Sequence, residues 1–583
     1  MGSFYAPSDL SVTPDHIERV TLLGGCLFDR WSDVLARKRP AVAVEHAAFD
    51  YGGAFTGTDR RCDLRLVQIP LRYLYPEVIV MQTRYDDLAA FEQALARAFR
   101  TMRRLVEQLD GGSPDRPTFF LNYPLPQRGA LGRLMPRYDP RNPIFFIQRL
   151  NRQLSDLANA YPGGHILDVE QCAAAFGRRF MQDDAFWLFG HGGLIDDSDA
   201  DRDAGRIEPS PPLSTLHRFD VDGFIDILWD ETFAMLRTLR ATDRVKMVCI
   251  DLDDTLWRGV LAEADPETLD PFIVEGWPIG LAEALMVLKQ RGILLAITSK
   301  NDARRAEEIM SRLFGNRLSI EDFAIRKIDW RPKSETVAEA IREANVLPDS
   351  VVFIDDNPVE RAAVKAALPA VRVLDAPHRD WRRILLWSPE TQVAAISAES
   401  VARTGMMQAQ IRREQAREAT SHDDFLAGLE LAIGLRTIES DQDPRFARAL
   451  ELLNKTNQFN TTGRRWSHGD ASAHFAAGGA WRVLSVQDRY TAYGLVGVVV
   501  MTGRHIGQFA MSCRVFGLQV EQAALAAIEA DVGAPLTADL VNTERNGPCR
   551  GVYARAGWGR EGDRWSSPGG TAMPAHVAIR SIG

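Results

Sequence analysis

The sequence has no run of 18 or more uncharged apolar residues, and Met1 to Val20 mixes Pro, Asp, His and Glu without an apolar stretch. A membrane-spanning helix needs roughly 20 apolar residues, and a secretory leader an apolar core of about 7–15. The expectation is a soluble, unexported, cytoplasmic protein. Cysteine is sparse: Cys26, Cys62, Cys172, Cys249, Cys513 and Cys549 show neither CxxC nor Cys/His ligand spacing. Neither a disulfide framework nor a zinc knuckle is indicated, and a reducing compartment fits. Positive charge is not in excess either, since a formal net charge of −9 leaves no basic footprint for duplex nucleic acid. Internal repeats and low-complexity tracts are absent.

What remains is a chain of 583 residues, 45% hydrophobic and 25% charged, which are ordinary globular values. At roughly 100–200 residues per domain, about three domains are expected. The acidic, Pro-rich stretch DDSDADRDAGRIEPSPPL, Asp196 to Leu213, reads as an exposed loop with a domain edge soon after it. We divide the chain into an N-terminal domain (1–240), a middle domain (241–385), a charged helical connector (386–430) and a C-terminal unit (431–583). The connector carries the run Arg412-Arg413-Glu414, and the last unit mixes helix patterns (ARALELLNKTN, VEQAALAAIEA) with strand patterns (WRVLSVQD, GLVGVVVM).

In the middle domain short apolar runs alternate with amphipathic stretches: VKMVCI, GLAEALMVLKQRG, ILLAIT, a Glu-rich helix, then VVFI. Leu281, Leu285 and Leu288 recur at helical spacing and Gly292 supplies a stop. Buried strands alternating with helices predict an α/β fold with a doubly wound parallel sheet.

Asp251-Leu252-Asp253-Asp254-Thr255-Leu256-Trp257 directly follows the strand Val245–Ile250. Ligands of open parallel sheets bind outside the carboxyl ends of strands. There, one ionised carboxylate can attack phosphorus while a second, kept protonated, acts as general acid and then base. Crowded carboxylates also recruit a hard cation. ILLAITSKN ends a second strand with Thr298 and Ser299, hydroxyls suited to a phosphoryl oxygen. Lys333 in WRPKSE supplies positive charge, and VVFIDDNP ends a third strand with Asp355 and Asp356, which would complete an oxygen shell for Mg²⁺.

These motifs resemble the haloacid dehalogenase (HAD) phosphotransferases. DLDDTLW, GILLAITSKN, VVFIDDNPVERAAVKAALP and LLNKTNQFN resemble more narrowly the FkbH-like proteins of that superfamily. That group loads a glyceryl unit from 1,3-bisphosphoglycerate onto an acyl carrier protein in polyketide pathways. The resemblance implies Asp251 as nucleophile, Asp253 as acid and base, Ser299 as phosphate-binding hydroxyl and Lys333 as the lysine of the site. Mg²⁺ would be bound by Asp251, Asp355, the carbonyl of Asp253 and neighbouring Asp356. Thr255 and Asn301, within the same motifs, are assigned to the substrate. The implied partner is an acyl or peptidyl carrier protein presenting its phosphopantetheine arm. Only about 20 residues separate Gly259 from a helix beginning near Gly280, too few for a closed cap, so the site is expected to admit a bulky partner. The chain departs from the pattern at Thr298, where family members that carry glyceryl have Cys, and at Arg258, where they have Gly. The first removes the expected thioester carrier; the second puts a guanidinium beside the phosphate site, available to an anionic substrate.

Two further resemblances concern the flanks. VTLLGGCLFDRW reads as a strand ending in a Gly-Gly turn that presents Cys26, and resembles the first block of SGNH-type esterases with Cys at the Ser position. Asn122, in FFLNYPLP, and His191, in FWLFGHGG, are the candidate oxyanion donor and base. SCRVFGLQVEQAALAAIEA followed by TERNGPCRGVYARAGW resembles the GNAT acyltransferase fold, here as a module for the carrier protein or its arm. In KTNQFN, Asn457, Gln458 and Asn460 form a polar cluster that either lines a cleft or caps the helix ending near Leu453.

Overall fold

In the computed structural model the chain forms two compact units, Met1–Arg244 with Asp380–Ala394, and Val245–Arg379 with Ala395–Gly583. The described residues are 5–48, 62–76, 78–109, 111–129, 131–182, 184, 205–208, 211, 218–261, 266–419, 421–543, 546–562 and 564–580. Among them no helix is long and apolar enough to cross a membrane.

The first unit is built on a parallel sheet of β1 (Arg19–Gly24), β2 (Ala43–Ala48), β3 (Leu64–Val67), β4 (Thr118–Leu121) and β5 (Gly164–Leu167). Their spatial order is β2-β1-β3-β4-β5. Successive strand residues face opposite ways, so alternate side chains feed two cores. Leu22, Leu66 and Phe119 join Trp31 and Trp229 on one face; Leu23, Val67 and Phe120 join Met102 and Leu150 on the other. Residues 380–394 belong to this unit, although the sequence places them at the end of the middle domain and in the connector. Arg237, near the end of the helix Val221–Arg240, explains why. It sits 2.6 Å from Asp15, 2.8 Å from Asp243 and 2.9 Å from the fully buried Glu390.

The second unit holds two sheets. One consists of β6 (Met247–Ile250), β7 (Leu294–Ser299), β8 (Ile325–Ile328), β9 (Val351–Ile354) and β10 (Arg372–Val373), ordered β10-β9-β6-β7-β8 with parallel pairing throughout. The chain leaves central β6 toward β7 and later returns to its other side at β9, the reversal expected of a doubly wound sheet. The helix Trp277–Gln290 buries Leu281, Leu285 and Leu288 and begins three residues before Gly280; Gly292 just beyond it takes the positive φ (+79°) that glycine permits. The other sheet has eight strands, β11 (Leu431–Ile438), β12 (Gly479–Gln487), β13 (Ala492–Thr502), β14 (His505–Met511), β15 (Thr537–Asp539), β16 (Gly559–Glu561), β17 (Arg564–Ser566) and β18 (Val577–Ile579). It is mixed, with β11 to β14 antiparallel in turn and β14 parallel to β15.

The stretch read as a connector contains the helix Ala398–Ala419, which does more than link. Met407 is buried in the core beside β6 and β7, and Arg403 donates to the Gly292 carbonyl. Farther along, the buried Arg413 donates to the Tyr493 hydroxyl and to the Arg514 carbonyl at 3.1 Å.

Candidate active site

The register of the parallel sheet builds the centre of the site. Ile250 of β6 pairs with Ile354 of β9, so the next residue of each strand, Asp251 and Asp355, emerges side by side at the carboxyl ends. The Asp251 N–H donates to the Ile354 carbonyl (3.0 Å) and holds that alignment. Lys333 is the first residue of the helix Lys333–Ala344, which follows β8, and its Nζ lies 2.9 Å from Asp251 Oδ2 and 2.6 Å from Asp355 Oδ2. The three are 6%, 5% and 0% exposed in the order Asp251, Lys333, Asp355, so the charges meet away from bulk water.

Two carboxylates on one ammonium leave an excess of negative charge. Burial opposes the charge on Lys333, but Asp251 and Asp355 outweigh it and hold its pKa above the ordinary value. Burial pushes Asp355 up to about 6, with Asp251 adding to the rise and Lys333 opposing it. Asp356 is also raised, by burial and by the charges of Asp251 and Asp254. Oxygens of Asp251, Asp355 and Asp356 lie within 4.8 Å of one another. An all-oxygen, over-negative cluster of this kind fits a hard divalent cation. The Asp253 carboxylate is not in this cluster; the resemblance gives the metal the main-chain carbonyl of Asp253.

The turn after Asp251 is tightly wound. The Leu252 carbonyl accepts N–H groups of Thr255, Leu256 and Trp257, at 3.3, 2.7 and 3.3 Å. Asp254 takes φ +50°, a conformation costly for a residue with a Cβ, and its Oδ1 accepts the Gly259 N–H (2.6 Å). Thr255, assigned to substrate from the sequence, is fully buried, and its hydroxyl instead ties this turn to the neighbouring loop. It donates to Asp356 Oδ1 (3.2 Å) and accepts the Asp356 N–H (3.0 Å). Arg361, which no sequence motif singles out, donates to the carbonyls of Asp355 (2.9 Å) and Asp356 (2.7 Å).

Asp253 points into its own set of donors. Trp257 Nε1 (2.9 Å) and the Leu261 N–H (3.0 Å) reach Oδ1, and Asn301 Nδ2 (3.1 Å) reaches Oδ2. Burial raises its pKa, with Asp251 and Asp254 adding and the Leu261 and Trp257 hydrogen bonds opposing. Asn301, expected on the substrate, therefore contacts the second acid. Ser299 is 3% exposed at the carboxyl end of β7. Thr298, expected beside the substrate, is 0% exposed, and its Oγ1 has no hydrogen-bond partner among the described residues. Arg258, expected beside the phosphate, donates to the Ile273 carbonyl (2.6 Å) and lies over the Trp277 ring at 5.5 Å. It braces the segment between the first motif and the helix Trp277–Gln290. The described part of that segment contains the 3₁₀ turns Pro266–Thr268 and Pro271–Val274 and no cap domain.

In the first unit Cys26 is exposed between β1 and the helix Leu27–Lys38. Asn122, at the end of β4, donates to Asp168 Oδ1 (2.7 Å) and accepts the Glu170 N–H (3.1 Å), so its carboxamide joins two loops. His191 lies outside the described residues. The C-terminal cluster is structural: buried Asn460 donates to the Leu453 (3.4 Å) and Thr456 (3.2 Å) carbonyls, capping the helix Phe446–Lys455. Asn457, in the same polar cluster, accepts from Arg465. The segment then runs beside β14, with Thr461 N–H donating to the Phe509 carbonyl (3.0 Å) and Met511 N–H to the Phe459 carbonyl (2.9 Å). Glu521 stands in the first turn of the helix Val520–Val532, where a carboxylate already answers the helix's preference for negative charge.

Residues 278–367 match the family of haloacid dehalogenase-like hydrolases. The matched span includes Ser299, Lys333, Asp355 and Asp356, and Asp251 and Asp253 precede it. The likeness to that family thus covers the part of the chain from the helix Trp277–Gln290 to the helix Pro358–Ala367. No curated protein matches the sequence. Among solved structures, the N-terminal part of a Bacteroides fragilis protein, containing a phosphatase domain and complexed with Mg, is similar at 21% identity and a TM-score of 0.44. The likeness covers 65% of this chain and 94% of that one.

Proposed function

We propose that the protein is a Mg²⁺-dependent phosphatase that works through an aspartyl-phosphate, with Asp251 as nucleophile and Asp253 as acid and base. The observation that carries this reading is the Lys333 ammonium held between Asp251 and Asp355 at the carboxyl ends of β6 and β9. Asp251 attacks the phosphorus of a monoester; the new P–O bond forms as the ester P–O bond breaks, and Asp253 gives its proton to the leaving oxygen. Water then attacks the phosphorus and gives a proton to Asp253, and phosphate leaves as its bond to Asp251 breaks. Lys333 offsets the charge of the nucleophile, and the Ser299 hydroxyl is available to a phosphoryl oxygen. Asp251, Asp355 and Asp356 would hold Mg²⁺, which supplies positive charge to the transferring oxygens when bound.

A second reading, suggested by the FkbH-like motifs, has the same site take an acyl phosphate such as 1,3-bisphosphoglycerate and load the acyl unit onto an acyl or peptidyl carrier protein in secondary metabolism. The lack of a cap domain among the described residues favours it. The fully buried Thr298 favours simple hydrolysis, because it gives the site no group to carry an acyl unit. Incubation with Mg²⁺ and candidate phosphoesters or acyl phosphates, with and without a carrier protein, separates the two. Phosphate released without carrier and lost in Asp251→Asn supports the phosphatase. A carrier mass shift that depends on Asp251 replaces it with acyl loading, and no phosphate release from any substrate overturns both.

A further inference from the structure

Asp253 is held by three neutral donors. Its Oδ1 accepts the indole N–H of Trp257 (2.9 Å) and the main-chain N–H of Leu261 (3.0 Å), and its Oδ2 accepts one carboxamide hydrogen of Asn301 (3.1 Å). A carboxylate offers about four acceptor positions. Among the described residues these contacts fill both on Oδ1 and one on Oδ2, so a single position on Oδ2 is left without a donor. The donors themselves have little freedom. Trp257 is 0% exposed and its main-chain N–H is bound to the Leu252 carbonyl (3.3 Å); Asn301 is 1% exposed and its Oδ1 accepts the Asp302 N–H (2.9 Å). The contrast with Asp251 is chemical. Asp251 shares a lysine ammonium with Asp355, whereas the donors on Asp253 fix its direction without bringing a positive charge to it.

From this geometry we infer that Trp257 and Asn301 are positioning residues for proton transfer. They lock the Asp253 carboxyl so that the proton passes through the one open position on Oδ2. The inference rests on the phosphatase reading above, in which Asp253 protonates the leaving oxygen as the ester P–O bond breaks and recovers a proton from the attacking water.

The test is the dependence of kcat/KM on the leaving group, which purely structural damage leaves unchanged. The full-length chain with Mg²⁺ is assayed on phenyl phosphate, whose leaving group needs a proton, and on 4-nitrophenyl phosphate, whose leaving group needs it far less. Asp253→Asn is expected to lose more on the phenyl ester. Trp257→Phe, which keeps a ring in the core, and Asn301→Ala, which removes only a carboxamide, are expected to repeat that skew. Each should lose about tenfold or more on the phenyl ester and less than about threefold on the nitrophenyl ester, as expected for partial loss of general acid catalysis. Equal losses on both esters in these two variants, with the skew intact in Asp253→Asn, overturn the positioning role and leave the phosphatase reading standing. No skew in Asp253→Asn, or no turnover of either ester by the wild type, overturns that reading and the inference with it. Should Trp257→Phe fail to fold, Asn301→Ala decides.

Discussion

Lys333 shares one ammonium between two buried carboxylates, and the negative charge left over makes the centre sensitive to pH and to cations. Replacing Lys333 with Met strips the counter-charge from both acids. Breaking a buried pair in this way costs about 3–5 kcal/mol, and thermal unfolding of Lys333→Met should show a loss of that order. Asp355 carries the pH dependence. Its folded pKa, about 6, lies above the ordinary 3.8, so it favours the folded state at low pH and withdraws that support as pH rises through 6. A divalent cation binds the ionised form and reverses the penalty. The Mg²⁺-induced rise in unfolding temperature should therefore be small at pH 5 and grow through pH 6 to 7.5; an increment independent of pH would count against Asp355 as a ligand. At this scale the sequence was informative about placement. Asp251, Ser299, Lys333 and Asp355 follow strands or open a helix, and chain direction alone puts them at one sheet edge. Partners were less legible. Whether Asn301 meets substrate or Asp253, and whether Thr255 meets phosphate or Asp356, depends on side-chain direction within a turn, which spacing does not encode.

Elements were legible where period and turn chemistry agree. The alternation of apolar runs with amphipathic helices gave the doubly wound sheet around β6, and the Leu281, Leu285, Leu288 stripe gave the buried face of its first helix. Boundaries set by distant contacts were not. Residues 380–394 look like the end of the middle domain and the start of the connector because nothing nearby in the sequence announces Arg237. That arginine meets Asp15, Asp243 and Glu390, and the Ser11 hydroxyl also donates to Glu390 (2.7 Å). Arg237→Leu should therefore destabilise the first unit by about 3–5 kcal/mol at pH 7, since it strands buried carboxylates. The pKa of Asp243 is lowered: burial works to raise it, but hydrogen bonds from Thr13 and Val12 and its contact with Arg237 prevail. Its stabilising contribution is thus present above about pH 4 and lost on acidification. Chemical denaturation should find the penalty of Arg237→Leu large at pH 7 and shrinking toward pH 3; an equal penalty at both would assign it to lost packing. Asn460 shows the same limit of legibility at a helix end. The sequence left it between cleft and cap, and its bonds to the Leu453 and Thr456 carbonyls make it a cap.

For the molecule as a whole, each compact unit has buried clusters of its own. The first is filled from both faces of its parallel sheet, and the second from the sheet around β6 and from the eight-stranded sheet. A chain built this way is not expected to unfold in one all-or-none step. The candidate metal ligands all lie in Val245–Arg379, whereas Arg237 and its acidic partners all lie in Met1–Arg244 and Asp380–Ala394. The two perturbations therefore label different units. A cation that binds only the folded form raises the transition of the unit that binds it, by an amount that grows with its concentration. Differential scanning calorimetry of the full chain should show more than one transition, with Mg²⁺ raising one and Arg237→Leu lowering another. Asp355→Asn should remove the Mg²⁺ response without touching the transition that Arg237→Leu moves. A single transition shifted by both perturbations would mean that the units melt together, and the stability of the candidate site would then be a property of the entire chain.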